Sequence, residues 1–567
     1  MNQRPWTAKY VSGTPHEIAE IPFRNLSEMV RISAEKYASQ TAFSLCLPNG
    51  MSGALTFSET ERLSDAFAVY LREKAGCRLG DRVALQMPNC LAYPIAAFGI
   101  LKAGCVIVNV NPLYTAAEMH FQFADSGARV LVIIDLFADK LTEALQGTPV
   151  ETTVLVRITD FFPVFRSTLI RFVQKHVKKQ IPAISVAHTR MTEALKLGRV
   201  GLGAGALPLS RYLSNVDGET VAILQYTGGT TGVSKGAMLT HRNLMANLTQ
   251  VLAFVEHVLE PGKECVLTAL PLYHVFAFTV NLLLFHFLGA KNVMVPSPRP
   301  LISLKPAFEG DPISIFTGVN TLFNGLCGED WFAKNPPRSL KASIAGGMAL
   351  QKAVADKWVS TALSPIIEGY GLTESSPVLT LSPLGGDVRT GTIGIPMPST
   401  DIICVDDDGQ PVPLGTPGEL WAKGPQIMKG YWNRPDETEK TLKEGWLRTG
   451  DIATMDEDGY FKIVDRKKDM ILVGGFNVYP NEVEDCLMRH PGVQEAAVIG
   501  VLEGDTGEAV QAFIVKKNDS LTVDEIKAHC RKTLTGYKVP RYVEFRTELP
   551  KSPVGKILRK ELRKKTV

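Results

Sequence analysis

The sequence predicts an α/β protein with more than one domain, on three observations. Its 567 residues are more than a single compact core normally holds. Strand-like apolar runs alternate with helical patterns over the first two-thirds of the chain, as in "RVALQM" followed by "LAYPIAAFGILKAG". After about residue 396, short strands and turn signals replace this alternation. We therefore expect a large N-terminal domain of helix-covered sheets with a small β-barrel or sheet module, followed by a small α+β C-terminal domain.

The same change of pattern gives the expected domain boundaries. The N-terminal domain is predicted over residues 1–465, with the β-barrel module at about 396–465. The charged segment "VDRKKD" then precedes a unit of mixed helices and strands over residues 466–567. A boundary near Asp465 follows, because domains usually meet at polar linkers.

Composition and charge exclude several classes of function. Apolar residues make up 45% and charged residues 21% of the chain, which is ordinary for a globular protein. The net charge of +3 gives no basis for nucleic-acid binding. The nine cysteines are scattered, odd in number and without a CxxC pair, which argues against a disulfide framework or a zinc site. This usage fits a reducing cytosol.

Two further features bear on membranes. The polar N-terminus "MNQRPWTAKY" has no apolar core of a signal peptide, so a cytoplasmic location is expected. The longest apolar stretch, Val275 to Ala290, is interrupted by Asn281 and His286, which predicts a buried helix rather than a membrane span.

A basic segment from Phe161 to Thr192 stands apart, because it contains no Asp or Glu. Its apolar residues recur at helical spacing. A basic amphipathic helix of this kind is a candidate for peripheral binding to an anionic membrane surface, here the cytoplasmic face. A surface helix packed on its own domain is the alternative. The cationic side chains are Arg166, Arg171, Lys175, Lys178, Lys179 and Arg190.

The stretch "YTGGTTGVSKG", Tyr226 to Gly236, follows an apolar run and has the composition of a phosphate-binding loop. It is not a Walker A loop, because Val233 occupies the place of the second Gly and Lys235 is followed by Gly236. Glycines let backbone N–H groups converge on an anion, and the hydroxyls add donors. A ligand-free turn remains the alternative. A helix is expected to start within "AMLTHRNLMANL".

Three later stretches narrow the choice. They are "EGYGLTESSP" from Glu368, "GWLRTGDIATMDEDGYFKIVDRKKD" from Gly445 and "PKSPVGKILRKELR" from Pro550. With the glycine-rich loop, and in this order, they resemble the signature motifs of the AMP-forming adenylating superfamily. That superfamily includes acyl-CoA synthetases, peptide-synthetase adenylation domains and luciferases. The run from Gly445 through "MILVGGFNVYPNEVE" most resembles bacterial long-chain fatty acyl-CoA synthetases.

The resemblance implies a two-step ligase reaction. A long-chain fatty acid and ATP would give acyl-adenylate and pyrophosphate, and CoA would then take the acyl group and release AMP. ATP and CoA are the implied co-substrates and Mg²⁺ the implied cofactor. A medium-chain or aryl-acid CoA ligase on the same scaffold is the alternative among enzymes. A non-enzymatic acyl- or nucleotide-binding protein is the alternative from another class. A homodimer is compatible with the resemblance.

The resemblance also assigns the nucleotide site residue by residue. Tyr370 would stack on adenine, Asp451 would accept hydrogen bonds from the ribose hydroxyls, and Arg466 would reach the ribose or phosphate. The full set of expected ATP- and AMP-binding residues is Tyr226, Thr227, Gly228, Gly229, Thr230, Thr231, Gly232, Lys235, Gly347, Tyr370, Gly371, Thr373, Asp451, Arg466 and Lys556.

Three residues would be catalytic, namely Thr227, Glu374 and Lys556. Thr227 and Glu374 would hold Mg²⁺, which prefers oxygen ligands. Lys556 would bridge the substrate carboxylate and the α-phosphate, two anions whose repulsion otherwise raises the barrier. Composition alone would place Lys556 among the solvated charges of the tail, and Lys235 among those of its loop.

The remaining assignments concern CoA, the acyl group and domain motion. The C-terminal domain would be mobile, turning about a hinge at Asp465. Its loop at Gly474, Gly475 and Phe476 would swing in to bind CoA. The acyl pocket would be lined by His274, Gly318 and Gly346, with a core histidine as the alternative for His274.

Overall fold

The structure is a computed structural model that describes residues 4–203, 209–227, 234–474, 476–503, 507–552 and 555–563. Two large sheets dominate the part before residue 396. The first has nine strands, and its inner ladders are parallel. In spatial order its strands are Ile395–Pro396, Val378–Leu381, Ile366–Gly371, Ala342–Ala345, Ile315–Gly318, Cys265–Thr268, Lys291–Met294, Thr41–Cys46 and Ser52–Thr56.

The second sheet has eight strands, and the two ladders at one end are antiparallel, so among its described strands only Lys235–Thr240 runs opposite to the others. This end lies beside the glycine-rich loop. In spatial order the strands are Gly430–Tyr431, Lys235–Thr240, Val221–Thr227, Val106–Asn109, Arg82–Gln86, Ala128–Ile134, Thr152–Val156 and Thr189–Arg190.

Helices cover these sheets, as the alternating pattern predicts. Every residue of the helix Ala92–Lys102 is buried, because an all-round apolar helix must be enclosed. The other α-helices of the N-terminal part are Leu26–Lys36, Phe57–Glu73, Ala116–Ser126, Leu141–Ala144, Val164–Phe172, Met191–Gly203, Leu209–Tyr212, His241–Val255, Phe285–Phe287, Lys305–Gly310, Asn320–Leu326, Asp330–Lys334, Lys352–Ala362 and Pro435–Thr441.

The helix expected within "AMLTHRNLMANL" begins at His241. Thr240 accepts the N–H of Asn243 and caps the helix, while the first four residues of the stretch complete a strand. The apolar stretch Val275 to Ala290 is a buried helix, as predicted, wound as a π-helix over Ala277–Leu284. No helix in the described ranges has the length and apolarity that a bilayer crossing requires.

The predicted β-barrel module has the expected antiparallel strands but is not a closed barrel in the described part of the chain. Trp446–Met455 lies at the centre and pairs with three neighbours, so the ladder branches instead of closing into a ring. The strands are Asp401–Val405, Gly418–Lys423, Leu442–Lys443, Trp446–Met455 and Phe461–Arg466.

The C-terminal part is an α+β unit, as predicted. Its strands are Ile471–Val473, Phe476–Val478, Val493–Glu503, Gly507–Lys516 and Tyr542–Arg546, and its helices are Pro480–Met488, Val523–Arg531 and Arg559–Arg563. Its buried apolar side chains form clusters of their own, separate from the main core. All nine cysteines of the chain are free thiols and buried.

Candidate active site

The glycine-rich loop is the tip of a hairpin between the strands Val221–Thr227 and Lys235–Thr240. Thr227 lies opposite Lys235 in the ladder, so both residues stand at the base of the loop. The Ser234 hydroxyl donates to the Thr227 carbonyl at 2.6 Å and narrows this base. The predicted phosphate ligands Gly228, Gly229, Thr230, Thr231 and Gly232 lie outside the described residues.

The ammonium of Lys235 has two partners within the protein. It lies 2.5 Å from Oε2 of Glu437 and 4.9 Å from the ring centroid of Tyr431. The hydrogen bonds from Lys235 and Lys440 lower the pKa of the exposed Glu437 carboxyl to about 2. Lys235 is therefore paired rather than solvated, and its contact with ATP phosphate stays a prediction.

Tyr226 points away from the loop, into a structural network. Its hydroxyl donates to Oδ2 of Asp125 at 2.6 Å, and the guanidinium of Arg434 lies 2.5 Å from the other oxygen of that carboxylate. Burial, together with Asp125, raises the pKa of Tyr226. The hydroxyl is thus occupied by Asp125, and nucleotide binding by Tyr226 stays a prediction.

Glu374 lies in a short 3-10 turn, Thr373–Ser375, after the strand Ile366–Gly371. Its Oε1 accepts the hydroxyl of Tyr431 at 2.6 Å. No hydrogen bond from a described residue reaches its Oε2. The Lys235 ammonium lies over the ring of Tyr431. Tyr431 therefore contacts both Glu374 and Lys235.

Glu374 and Thr227 fit a magnesium site in which the substrate phosphates supply part of the ligand set. Protein Mg²⁺ sites in phosphate chemistry often use one or two carboxylates, with water and substrate phosphates completing the shell. Glu374 supplies one carboxylate oxygen that is free among the described residues, and the Thr227 hydroxyl is at the base of the phosphate loop. The described ranges contain no group of three or more His, Cys, Asp or Glu side chains that could hold a metal ion by themselves, so water and substrate would have to complete the shell.

A second group brings together Tyr370, Asp451 and Arg466, which are predicted to contact adenine, ribose, and ribose or phosphate, respectively. The Tyr370 hydroxyl donates to Oδ2 of Asp451 at 2.7 Å, and Nε of Arg466 lies 3.1 Å from Oδ1. Asp451 and Arg466 are direct neighbours in an antiparallel ladder. Asp451 is only 3% exposed, so its remaining lone pairs face a sheltered space.

A cavity of about 310 Å³ opens beside this group. Three of its lining residues are cationic, which suits an anionic ligand. The lining residues are Thr449, Gly450, Asp451, Arg466, Lys467 and Lys468.

Lys556 reaches this region from the C-terminal segment. Burial, with the nearby cations Arg466 and Lys468, lowers the pKa of its ammonium to about 8, and the charge of Asp451 acts in the opposite direction. The neighbouring Gly555 is pressed against the N-terminal part, where an added Cβ would lie 2.8 Å from Oγ1 of Thr321. The two halves of the predicted site are therefore together in this structure.

His274 faces Lys556 from the N-terminal side. Burial and the charge of Lys556 lower the pKa of its imidazole to about 4, which makes it neutral at neutral pH. Its Nδ1 accepts the N–H of Phe276 at 3.3 Å, so the tautomer with the proton on Nε2 is favoured. A Cβ added at Gly346 would meet the Phe276 ring at 2.9 Å. His274 and Gly346 thus both contact Phe276, and their place in an acyl pocket stays a prediction.

The other predicted glycines differ in what surrounds them. A Cβ at Gly318 would lie 3.0 Å from the Phe323 ring, whereas Gly347 faces open space with a φ of +80°. A Cβ at Gly371 would lie 1.7 Å from the carbonyl oxygen of Pro377, so only glycine fits there. Thr373 begins the turn that carries Glu374 and is partly exposed.

The predicted CoA loop lies apart from this group. Gly474 has a φ of +57° at the turn between Ile471–Val473 and Phe476–Val478, and Gly475 lies outside the described residues. Phe476 is 59% exposed and stacks on Tyr537 with ring centroids 4.9 Å apart. No hydrogen bond, ion pair or ring contact among the described residues connects this hairpin to Lys556 or Asp451.

The predicted hinge residue Asp465 is completely buried. Its two carboxylate oxygens accept the backbone N–H groups of Arg466 and Asn481, both at 2.7 Å. The guanidinium of Arg559, three residues after Lys556, lies 3.6 Å from the same carboxylate. The segment that carries Lys556 is thus tied to the hinge position.

Two residues of the site are absent from the sequence-based set. Tyr431 belongs to a two-residue strand, which leaves no periodic signal. Glu368 lies two positions before Tyr370, on the same face of the strand. Its Oε1 accepts the N–H of Leu350 at 3.1 Å, while its buried Oε2 has no partner among the described residues. Its place within "EGYGLTESSP" is a signal that could have drawn attention to it.

Comparisons with known proteins agree with this geometry. The AMP-binding enzyme family matches residues 30–432, and the AMP-binding enzyme C-terminal domain matches residues 482–556. The long-chain-fatty-acid–CoA ligase of Escherichia coli O6:H1 is 49% identical over 561 residues, 99% of this chain and 98% of that protein. The Yersinia pestis protein of the same name is 48% identical over 566 residues, 100% of this chain and 98% of that protein.

Solved structures give the same result. An anthranilate CoA ligase in complex with anthranoyl-AMP superposes with a TM-score of 0.83 at 26% identity, covering 96% of this chain and 98% of that one. The α/β fold class and the resemblance to adenylating enzymes are therefore confirmed. With a family match over most of its length and full-length relatives almost half identical to it, the chain belongs to the AMP-binding enzyme family.

Proposed function

We propose that this protein is an AMP-forming long-chain fatty acid–CoA ligase that uses ATP and CoA as co-substrates. The observation that best supports it is the approach of Lys556 to Asp451 and His274 across the two parts of the chain. A cation near both residues would be close to the proposed ribose contact and to the proposed acyl contact. This is where a carboxylate and an α-phosphate would have to meet.

In the proposed mechanism the fatty-acid carboxylate attacks the α-phosphorus of ATP and displaces pyrophosphate. Lys556 holds both anions and offsets their repulsion, and Asp451 fixes the ribose. Glu374 and Thr227 would hold Mg²⁺, which neutralises phosphate charge when bound. The CoA thiol then attacks the acyl carbonyl, and AMP leaves.

The choice of acid rests on the relatives. The proteins that are 48–49% identical over nearly the whole length bear the name long-chain-fatty-acid–CoA ligase. The aryl-acid enzyme of known structure is 26% identical. A long-chain fatty acid is therefore proposed over an aryl or medium-chain acid.

Exchange of labelled pyrophosphate into ATP tests this proposal directly. We expect exchange that depends on a carboxylic acid, is strongest with long acyl chains, and gives way to acyl-CoA and AMP when CoA is added. If exchange is stronger with benzoates than with fatty acids, the proposed substrate changes from a fatty acid to an aryl acid. Absence of exchange with every carboxylate would overturn the ligase proposal.

We also propose that residues 1–465 and 466–567 are separate domains that turn about Asp465. The buried apolar clusters support this division, because the main core ends before residue 466 and the next cluster starts at Ile471. The exposed position of Phe476, away from the site, is what a loop that moves in for the second step requires.

Peripheral binding to the cytoplasmic face of a membrane is proposed for the basic segment. The helix Val164–Phe172 leaves large apolar side chains in solvent, with Val164 83% and Phe165 81% exposed. Lys175 and Lys178 lie in or directly after the π-helical turn that follows, and both are exposed. Exposed apolar side chains next to exposed cations suit contact with an anionic bilayer. Ile170 is buried, so packing on the rest of the protein accounts for this apolar side chain but not for the exposed ones.

Co-sedimentation with vesicles tests this surface. The double change Lys175→Gln and Lys178→Gln should weaken binding to phosphatidylglycerol vesicles about tenfold. The control changes Lys517 and Lys532, two exposed lysines of the C-terminal part, to Gln. Equal binding by both variants would mean that the helix has only a structural role.

Light scattering in solution would measure whether the protein forms the predicted homodimer.

A further inference from the structure

Tyr431 connects two oppositely charged side chains at the base of the phosphate loop. It is 7% exposed, and its hydroxyl donates to Oε1 of Glu374 at 2.6 Å. The ammonium of Lys235 lies 4.9 Å from the centroid of its ring. One aromatic side chain therefore contacts the predicted metal carboxylate and the predicted phosphate cation.

The backbone fixes Tyr431 and Glu374 relative to each other. Tyr431 lies opposite Ala237 in the sheet, and its N–H donates to Oγ1 of Thr438 at 2.9 Å. The N–H of Met428 donates to the Glu374 carbonyl at 2.8 Å. Both ends of the phenol–carboxylate hydrogen bond are thus held by independent main-chain contacts, so its geometry is set before any ligand arrives.

A neutral donor is the chemically suitable partner for a carboxylate that must bind a cation. A phenol hydrogen bond orients the carboxylate without cancelling its charge, whereas an ammonium at that place would compete with a metal ion. Lys235 is the nearby ammonium, and its 2.5 Å ion pair with Glu437 keeps it off Glu374. Oε2 of Glu374 has no hydrogen bond from a described residue.

We propose that Tyr431 is a positioning residue for the metal carboxylate: its hydroxyl holds Oε1 of Glu374 so that Oε2 is presented to the Mg²⁺ that accompanies ATP. The proposal rests on the proposed function, because it takes Glu374 as the carboxylate that meets the metal. Hydrogen bonds from outside a metal's ligand set commonly change metal affinity by about 10–100-fold.

Calorimetric titration with ATP separates metal binding from nucleotide binding. The variant Tyr431→Phe loses only the hydroxyl, because the ring and its contact with Lys235 remain. In excess Mg²⁺ it should bind ATP about tenfold more weakly than the unmodified protein. In EDTA, where no metal is present, the two proteins should bind ATP equally. In a Glu374→Gln background, Tyr431→Phe should cause no further loss.

Tyr212 offers a matched control elsewhere in the chain. Its hydroxyl donates to Oε1 of Glu73 at 2.5 Å, and the guanidinium of Arg72 lies 4.8 Å from its ring centroid. It is 3% exposed, so burial, phenol–carboxylate bond and cation are all matched. Tyr212→Phe should lower the thermal midpoint as much as Tyr431→Phe does, yet leave ATP binding unchanged in Mg²⁺ and in EDTA.

The outcomes are distinct. Equal ATP affinity of Tyr431→Phe and the unmodified protein in Mg²⁺ would overturn the positioning role. An equal loss in Mg²⁺ and EDTA would also overturn it, because the hydroxyl would then serve packing or nucleotide contact. Failure of the ligase proposal would show separately, as missing pyrophosphate exchange in the unmodified protein.

Discussion

Lys556 is the residue on which the two half-reactions should separate. Its cation is needed where carboxylate and α-phosphate meet, and not where the thiol attacks the adenylate. We expect Lys556→Ala to lower acyl-dependent pyrophosphate exchange by about a hundredfold or more, and to leave thioester formation from supplied acyl-adenylate nearly unchanged.

The suitable control is Lys560→Ala. Lys560 lies four positions further on, is exposed, and belongs to the helix Arg559–Arg563 that follows Lys556. It should keep both half-reactions. A parallel loss of adenylation and thioester formation in Lys556→Ala would show that the residue has a different role.

Glu368 should make stability depend on pH. Burial raises the pKa of its carboxyl to about 8 in the folded protein, against an ordinary value of 4.5. The folded state then binds the proton more tightly than the unfolded state, so this residue's contribution to stability falls as the pH rises from about 4.5 to about 8. Below that window the protonated carboxyl carries no such cost.

The variant Glu368→Gln keeps an acceptor for the Leu350 N–H and cannot ionise. Its thermal midpoint should match that of the unmodified protein near pH 5 and be higher near pH 8. The corresponding gain in the free energy of unfolding at pH 8 is roughly 1–3 kcal/mol. Scanning calorimetry at the two pH values measures this difference. Other buried acids, such as Asp160, are common to both proteins and cancel. A gap independent of pH would contradict the assignment of the effect to ionisation.

Among the structural elements, the hairpin around the phosphate loop shows what a sequence can predict. An apolar run, a glycine-rich loop and a following helix start are local patterns, and each was recognisable. The strand Gly430–Tyr431 was not, because two residues have no period and its partner strand is far away in the sequence. Tyr431, and with it the link between Lys235 and Glu374, depends on this long-range pairing.

The turn between Ile366–Gly371 and Glu374 depends on a close backbone approach. A Cβ at Gly371 would lie 1.7 Å from the Pro377 carbonyl oxygen, and a backbone atom cannot give way as a side chain can. We expect Gly371→Ala to lower the thermal midpoint by roughly 5 °C or more and to weaken ATP binding. Gly310→Ala is the control, because nothing lies within 4 Å of its added Cβ. Retained stability in Gly371→Ala would mean that this turn relaxes freely.

At the scale of the whole molecule, Lys467 is an ion-pair bridge across the predicted hinge. Its ammonium lies 2.8 Å from Asp407 and 3.3 Å from Glu419, both in the sheet module that precedes Asp465. These pairs exist in the orientation that places Lys556 in the site. If this orientation is the proposed adenylating one, the pairs should favour it by the modest amount that partly exposed pairs provide.

Lys467→Gln should slow adenylation about two- to fivefold and leave thioester formation from supplied acyl-adenylate equal or faster. Lys517→Gln, at an exposed position of the same C-terminal part, controls for the lost charge. Stopped-flow measurement of the two half-reactions compares them. If both steps slowed together, Lys467 would act on the chemistry and not on the balance of orientations.

The order of motifs along the chain was enough to predict the family. It was not enough to predict contacts between the parts, such as Gly555 against Thr321 or Lys467 with Asp407, because charged and small residues at a surface carry no sign of their partner. For the module at 396–465 the sequence left a β-barrel and a sheet open, and the structure has a sheet. Strand patterns show which segments are extended, but ring closure depends on which edges pair.

The burial of all nine cysteines has a practical consequence. Burial raises the pKa of the Cys90, Cys265 and Cys404 thiols to about 12, which leaves these three almost entirely as unreactive thiol at neutral pH. An acyl-adenylate bound by the native protein would then meet no exposed cysteine thiol of the protein that could compete with the CoA thiol. A colorimetric thiol reagent added to the folded protein would count the added coenzyme alone, and a later rise in colour would report the protein opening.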